Sequence, residues 1–157
     1  MKITVSPTVP EELDGICAIE NASFSDPWSR RSFAEALENP VCRFFSAHGE
    51  GGVLIGYALI SVLFEDAEIL SVAVDDSFRR CGVGRALMHA MLTEAVRSGA
   101  QDIFLEVRES NHAARKLYLS EGFTEFGRRK RYYRKPTEDA ILMRLSRFRN
   151  ARINPLY

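Results

Sequence analysis

Cysteine is scarce in this 157-residue chain, and its pattern is that of neither a disulfide framework nor a metal site. The count is odd and no pair has CxxC spacing, since the three residues are Cys17, Cys42 and Cys81. Disulfides are rare in reducing compartments, so this usage favours an intracellular protein. The N-terminal segment also lacks the apolar stretch of a secretory signal, and we therefore expect a cytoplasmic location.

Long apolar runs are absent as well. The longest one, residues 53–64, contains Gly56 and Ser61 and is shorter than the ~20 residues that a membrane helix needs. The sequence therefore predicts no membrane partner. Its hydrophobic fraction of 46% and charged fraction of 27% are typical of one globular domain with a core.

Net charge is missing too, because 21 basic side chains balance 21 acidic ones. The balance hides an uneven distribution: residues 1–127 carry 11 Lys/Arg against 19 Asp/Glu, and residues 128–157 carry 10 against 2. The acidic body suits a basic peptide as partner. The basic run at 128–131 is similar to a nucleic-acid patch, but most such runs are solvated surfaces, so no direct nucleic-acid binding is required.

Several signatures of catalysis and nucleotide binding are not found. The sequence has no Gly-Lys-Ser/Thr phosphate loop, and Leu87 stands where a dinucleotide-binding loop needs its third glycine. A GxSxG serine motif is also missing. The histidines have no metal-ligand spacing, so we expect no metal; they are His48, His89 and His112.

Hydrophobic periodicity predicts strands and helices that mix along one α/β domain. Strands are expected at residues 3–5, 42–47, 53–63, 68–74, 103–107, 124–128 and 140–145. Helices are expected from residue 11, over 30–37 behind the N-cap Ser29, from the Gly82–Gly84 turn to Gly99, and over 111–121. The order is β-α-α-β-β-β-α-β-α-β-β, which predicts a domain over 1–146 and a basic tail over 147–157.

The segment Arg79-Arg-Cys-Gly-Val-Gly84 lies between a predicted strand and a predicted helix. Glycines at such a turn let backbone N–H groups converge on an anion, and the helix N-terminus adds partial positive charge. Together with Arg79, Arg80 and Arg85, this pattern favours a phosphate or pyrophosphate site. Glycines that merely cap a helix would give the same pattern, so that alternative stays open here.

Two further segments carry groups that could move protons. In Leu105-Glu-Val-Arg108, strand alternation puts Glu106 on the face opposite its apolar neighbours, either as a proton acceptor or as the surface partner of Arg108. In the helix that begins near Asn111, Tyr118 lies two turns along the same face. It is either a core residue or a proton donor to a leaving thiolate.

Three other features have more than one interpretation. Cys81 lies beside the glycine turn, but no histidine base accompanies it, and we interpret it as a small loop residue. Trp28 and the pair Tyr132-Tyr133 are either core aromatics or the walls of a peptide groove.

Taken together, these segments resemble the GNAT superfamily of acetyl-CoA-dependent N-acetyltransferases. The glycine turn matches its Q/R-x-x-G-x-G/A pattern at residues 79–84, directly after the strand at 70–75. A narrower similarity is to the subfamily that acetylates the N-terminal alanine of ribosomal proteins, through Leu105–Asn111, Tyr118, Glu121–Phe123, Asp26–Ser29 and the Tyr132-Tyr133 pair followed by Glu138. The resemblance covers about residues 3–146 and implies a single-domain fold with a mixed, mostly antiparallel sheet and flanking helices.

The resemblance also implies acetyl-CoA as co-substrate and assigns residues to it. The strand residues would hold the acetyl and pantetheine groups, and the turn would hold the pyrophosphate. The implied binding residues are Val72, Ala73, Val74, Arg80, Cys81, Gly82, Val83, Gly84, Arg85 and Asn111. Glu106 would act through water as general base, and Tyr118 as general acid.

The expected function is therefore transfer of an acetyl group to a protein N-terminal α-amine by direct attack in a ternary complex. The resemblance points to the N-terminal alanine of a small-subunit ribosomal protein as the acceptor. Two alternatives remain. One is an acetyltransferase for small molecules or lysine side chains, and the other is a non-catalytic module that binds CoA or nucleic acid.

Overall fold

Seven strands and four α-helices alternate in the computed structural model, which describes residues 1–146. The strands are β1 (Thr4–Pro7), β2 (Cys42–His48), β3 (Leu54–Leu63), β4 (Asp66–Val74), β5 (Asp102–Arg108), β6 (Thr124–Tyr133) and β7 (Glu138–Ser146). The helices are α1 (Leu13–Ser23), α2 (Arg30–Glu38), α3 (Val83–Arg97) and α4 (His112–Ser120). Their order along the chain is the one that the hydrophobic periodicity predicts.

All strands belong to one sheet in the order β1-β2-β3-β4-β5-β7-β6. Among the strands of residues 1–146, only the β4–β5 pair is parallel, and every other neighbouring pair is antiparallel. The predicted mixed, mostly antiparallel fold class is therefore confirmed. The parallel pair is joined through α3, as the crossover between parallel strands requires.

The two faces of the sheet are covered by different helices. On one face, Leu87 and Met91 of α3 and Tyr118 of α4 are buried together with alternate residues of the central strands. On the other face, Ile16 of α1 and Phe33 of α2 form a second core with residues of β2, β3 and β4. The sheet is thus the middle layer, with one core on each face.

Local sequence signals fix where the helices begin and end. The hydroxyl of Ser29 accepts a hydrogen bond from the Ser32 N–H at 3.1 Å, as expected of an N-cap. Gly99 and Gly122 follow α3 and α4 with φ of +95° and +98°, a left-handed conformation that glycine adopts without strain. The predicted ends of these elements are confirmed.

Strand β6 differs from the prediction, because it continues to Tyr133 and not only to residue 128. Its second half is a run of charged residues without the apolar alternation that marks a strand. Two of the charges are matched by neighbours: Arg128 contacts Glu109 and Asp139, both at 2.8 Å, and Arg129 contacts Glu106 at 3.0 Å. Ion pairing on an exposed edge strand therefore replaces the apolar face that the sequence pattern would need.

None of the helices within residues 1–146 is long and apolar enough to cross a bilayer. The same part of the chain holds no group of three His, Cys, Asp or Glu side chains arranged for a metal ion. The predicted basic tail, 147–157, lies outside the described residues. The domain boundary at residue 146 and the cytoplasmic location stay predictions.

Candidate active site

The parallel strands β4 and β5 pair only at one end. Asp66–Glu68 pairs with Asp102–Phe104, and no pairing between the two strands continues beyond Glu68 and Phe104. From there β4 continues along β3 as far as Val74, while β5 continues along β7. The facing backbone edges of the two strands are therefore available to a ligand, since each strand uses its other edge for the sheet.

The predicted acetyl and pantetheine residues lie along this opening. A bulge in β4 at Leu70 shifts the register, so that alternation beyond it is reversed. Ala73 consequently faces the core under α1 and α2, whereas Val72 and Val74 pack toward the α3 core. All three are at the diverging end of β4, where the resemblance assigns them.

The glycine turn forms the start of α3. Gly82 is the N-cap residue with φ of +85°, and a Cβ added there would meet no atom within 4 Å. The N–H groups of residues 80–85 donate to no carbonyl within residues 1–146. An open glycine cradle at the N-terminus of a 15-residue helix fits a diphosphate, because free N–H groups and the helix dipole point to the same place.

The three arginines around this turn are not equivalent. Arg79 is paired with Asp76 at 2.9 Å, and Arg85 is 3.6 Å from the carboxylate of Glu121. Arg80 is exposed, has φ of +62°, and forms no ion pair within the described part of the chain. Arg80 is therefore the cation best placed to meet an anionic ligand. Cys81 is exposed between Arg80 and the glycines.

Gly84 has a different role from Gly82. It lies inside the first turn of α3, where an added Cβ would be 3.2 Å from Cδ2 of Leu117 on α4. The small residue therefore lets the first turn of α3 pack closely against the second half of α4. Asn111 caps α4 with its side-chain oxygen, which accepts from the Ala114 N–H at 3.2 Å. Its amide nitrogen has no hydrogen-bond partner among residues 1–146, and the residue is exposed three positions after the end of β5.

Glu106 lies on β5 between the buried residues Leu105 and Val107 and is itself only partly buried, which is the alternation that was predicted. Its carboxylate contacts the guanidinium of Arg129 on β6 at 3.0 Å, and its side chain is 21% exposed. The surface pair with Arg108 that the sequence also allowed does not form, because Arg108 is instead paired with Glu138 at 3.2 Å. A partly exposed carboxylate next to the strand opening can reach a water or an amine.

Tyr118 is buried on α4, with its ring centroid 5.9 Å from that of Phe123. Burial raises the pKa of its phenol to about 12. The core interpretation of Tyr118 is thus correct as far as its ring is concerned. The hydroxyl stays protonated at neutral pH, which is the state that a proton donor needs.

Tyr133 at the end of β6 connects the two predicted catalytic residues. Its pKa is raised mainly by burial, next by the negative charge of Glu106, and to a smaller degree by Tyr118. Tyr133 therefore lies within electrostatic reach of both Glu106 and Tyr118. Tyr133 was predicted only as a core or groove aromatic, and its position in the sheet could not be inferred while β6 was expected to end at residue 128.

Arg108 connects the β6–β7 loop and the α1–α2 loop through hydrogen bonds. Its guanidinium donates to the backbone oxygens of Arg134 at 2.6 Å and Pro136 at 3.1 Å, in the loop between β6 and β7. It also donates to the hydroxyl of Ser25 at 3.3 Å, in the loop between α1 and α2, and lies 4.6 Å from the Tyr133 ring centre. The entrance on this side of the sheet is thus held by one side chain.

A buried carboxylate accepts a hydrogen bond from the backbone of the α1–α2 loop. Glu20 is 2% exposed and accepts from the Trp28 N–H at 3.0 Å and from the Ser71 hydroxyl at 3.2 Å, and the Tyr57 hydroxyl also donates to it. Burial raises the pKa of Glu20 above its usual range. Sequence reasoning missed this cluster, although Glu20 shares a helical face with Leu13 and Ile16, which is a signal of burial.

Comparisons with known proteins agree with this geometry. The profile of the Acetyltransferase (GNAT) family matches residues 13–123. The [Ribosomal protein bS18]-alanine N-acetyltransferase of Escherichia coli strain K12 is 35% identical over 146 residues, which cover 90% of this chain and 96% of that protein. The N-alpha-acetyltransferase RimI of Mycobacterium tuberculosis is 40% identical over 123 residues, or 76% of this chain and 75% of that protein.

Solved structures show the same similarity. The crystal structure of the ribosomal-protein-S18-alanine N-acetyltransferase from Escherichia coli superimposes with a TM-score of 0.85 at 33% identity, covering 92% of this chain and 94% of that one. Ard1 from Thermoplasma volcanium superimposes with a TM-score of 0.85 at 26% identity, covering 93% and 98%. The matched profile spans most of the chain, including the strand opening, the glycine turn and Tyr118. This chain is a member of the acetyltransferase (GNAT) family.

Proposed function

We propose that this protein transfers the acetyl group of acetyl-CoA to the N-terminal α-amine of a protein. The observation that carries the proposal is the opening where β4 and β5 separate, with Glu106 on β5 and the glycine cradle between β4 and α3. The acceptor that we expect is the N-terminal alanine of a small-subunit ribosomal protein, because relatives that span nearly the whole chain are named for that substrate.

The residues at the opening fit acetyl-CoA. Free backbone groups of Val72–Val74 would hold the acetyl and pantetheine groups, and the cradle at Arg80–Arg85 would hold the pyrophosphate. The amide of Asn111 would contact the pantetheine side of the ligand. When bound, acetyl-CoA supplies a thioester whose acetyl carbon is open to an amine.

Glu106 is proposed to take up the proton that the amine loses. An α-amine has a pKa near 8, so at neutral pH a modest base suffices to deliver its neutral form. Because Arg129 occupies one oxygen of Glu106, the proton would reach the other oxygen directly or through a water. Backbone N–H groups of β4 would stabilise the charge that develops on the carbonyl oxygen.

Tyr118 is proposed to return a proton to the sulfur that leaves. A thiolate is a stronger base than a carboxylate, and protonating it as the carbon–sulfur bond breaks favours departure. The raised pKa of about 12 keeps Tyr118 protonated for this step. The amine nitrogen gains the acetyl carbon and loses one proton to Glu106, and the sulfur gains one proton from Tyr118. Glu106 then releases its proton to solvent and Tyr118 regains one from solvent, so both residues return to their starting states and no acetyl-enzyme forms.

Direct transfer distinguishes this proposal from a route through Cys81. Cys81 is the exposed cysteine of the described part, but it lies at the pyrophosphate end of the site, away from the Glu106 cluster. We expect Cys81→Ala to retain turnover. Loss of turnover with intact acetyl-CoA binding would contradict direct transfer.

The function is tested by thiol release from acetyl-CoA with two matched acceptors. The first is a basic peptide that begins with alanine, and the second is the same peptide acetylated at its N-terminus with its lysines free. We expect release with the first peptide only. Equal release with the blocked peptide would instead identify a lysine acetyltransferase.

A third outcome identifies the non-catalytic alternative. If coenzyme A binds in calorimetry but no amine acceptor gives thiol release, the protein is a CoA-binding module. The structure offers little to the nucleic-acid version of that alternative, because Arg128 and Arg129 of the basic run are occupied by carboxylates.

A further inference from the structure

A groove with a volume of about 890 Å³ lies on the face of the sheet that carries Glu106. It extends from Glu106 to the β3–β4 turn, and its apolar floor includes Phe104, Phe126 and Leu142. The rings of Phe104 and Phe126 are in edge contact, with centroids 6.0 Å apart. Neither α1 nor α2 lines it, so no helix within residues 1–146 covers this part of the face.

Phe64 forms the outer wall of the groove at a cost in stability. It stands in the two-residue turn between the paired residues Leu63 and Asp66, with φ of +55° and 86% of its surface exposed. A left-handed turn position favours glycine or asparagine, and a large exposed ring gains nothing from folding. Phe64 is unfavourable both in its backbone conformation and in the exposure of its ring, and its presence is explained if the ring contacts a binding partner.

The charge of the groove defines what that partner carries. Four of its lining side chains are acidic and one is basic, a balance of −3; they are Glu65, Asp66, Glu68, Glu106 and Arg129. Arg129 is already paired with Glu106 at 3.0 Å. The other three carboxylates have no cation within 4 Å among residues 1–146. The groove therefore favours lysine or arginine next to apolar side chains.

We propose that this groove binds the segment of the acceptor polypeptide that follows the acetylated residue, and that it selects basic and apolar side chains there. The inference rests on the proposed function, in which the acceptor amine lies at Glu106. From the level of Glu106 to that of Asp102, which pairs with Asp66, β5 spans four residues. At about 3.3 Å per extended residue, the groove accommodates about four acceptor residues after the first.

The test compares a short and a long acceptor on groove variants. The short acceptor is a tripeptide beginning with alanine, and the long one is an octapeptide with the same start and with arginine, lysine and leucine at positions 4 to 6. The charge variant is Glu65→Gln with Asp66→Asn. Its matched control is Glu11→Gln with Glu50→Gln, which removes two exposed carboxylates away from the groove.

We expect the charge variant to raise KM for the octapeptide about tenfold and to leave kcat and the tripeptide KM unchanged. The control variant should change neither peptide. Phe64→Asn should raise the octapeptide KM in the same way without reducing thermal stability, because asparagine suits the turn. Equal effects on both peptides, or no effect on the octapeptide, would overturn the groove assignment.

The other occupants give different results and would also overturn it. If a chain ending at Ser146 has a lower octapeptide KM and the charge variant abolishes that gain, the groove belongs to residues 147–157. If Phe64→Asn converts a sedimenting dimer into a monomer, it belongs to a second copy. Failure of the proposed function would give a different result from failure of the groove assignment, because the wild-type protein would then acetylate neither peptide.

Discussion

At the scale of single residues, the carboxylate of Glu106 beside the strand opening is the proposed proton acceptor. Glu106→Gln keeps the shape of the side chain but removes its basicity, so we expect kcat to fall about 100- to 10,000-fold. Coenzyme A affinity in calorimetry should not change, because the cradle for the pyrophosphate lies at α3. Steady-state kinetics with an alanine-starting peptide measures the effect.

Glu109→Gln is the matched control for that substitution. Glu109 is also a carboxylate paired with an arginine of β6, Arg128, but Arg128 retains Asp139 as second partner. We expect near-native turnover from this control. Near-native turnover from Glu106→Gln would remove the general-base assignment.

Tyr118 gives a prediction that depends on pH. In the unfolded chain its phenol has its usual pKa of 10, and in the folded protein burial raises the pKa to about 12. The folded state therefore favours the neutral phenol, and this contribution is complete below pH 10 and is lost as pH rises toward 12. The free energy of unfolding should fall by about 1.4 kcal/mol more per pH unit in that window than it does in Tyr118→Phe.

Denaturant titrations of both proteins between pH 9 and 11.5 measure this difference. Tyr132 and Tyr133 titrate in both proteins, so only the difference reports on Tyr118. Identical pH profiles would mean that the phenol is accessible to solvent. Tyr118→Phe should also slow transfer at neutral pH while leaving coenzyme A affinity unchanged.

Alternation along a strand is enough to predict which way Glu106 points, because it depends on local geometry alone. Tyr133 and Arg108 could not be assigned in that way. Their roles arise where the β6–β7 loop and the α1–α2 loop meet, between residues more than 80 positions apart in the sequence. Such contacts are set by the packing of the sheet and leave no periodic signal.

At the scale of the helix, α3 begins and ends at glycines with the same backbone property. Gly82 and Gly99 have φ of +85° and +95°, and a Cβ at either would meet no atom within 4 Å. Replacement by alanine therefore imposes the same kind of backbone strain at both ends, about 1 kcal/mol. We expect equal losses of stability from Gly82→Ala and Gly99→Ala.

Only Gly82→Ala should also weaken coenzyme A binding, because the strain is relieved by moving the N–H groups that form the cradle. Calorimetric titration of both variants checks this. If both bind coenzyme A like the wild-type protein, Gly82 is only a helix cap, which is the alternative that its sequence context also allows.

The elements themselves show where sequence patterns are sufficient. Helix α2 was predictable because Ser29 caps it and Asn39-Pro40 ends it. The divergence of β4 and β5 was not, since both strands have ordinary strand sequences and the opening follows from β5 pairing with β7. The geometry of the opening is visible only in the register of the sheet.

At the scale of the whole molecule, the structure shows where the unevenly distributed charges lie. The acidic excess of residues 1–127 is concentrated partly in the groove beside Glu106, whereas Arg128 and Arg129 of the basic run on β6 are paired with carboxylates of β5, β7 and the loop after β5. A count of charges predicts a basic partner but not where it binds. Position requires the fold, because Glu65 and Glu106 are 41 residues apart in sequence and line one surface.

The predicted domain boundary at residue 146 can be tested by shortening the chain. The final pair between β7 and β5 joins Ser146 to Asp102, so a chain ending at Ser146 keeps every pair of the sheet. We expect it to unfold with a free energy within about 0.5 kcal/mol of the full chain and to bind coenzyme A equally well. A chain ending at Leu142 is the control: it removes Met143, a buried core residue that pairs with Leu105, and should not fold. If ending the chain at Ser146 also prevents folding or coenzyme A binding, residues 147–157 belong to the domain and the boundary lies beyond them.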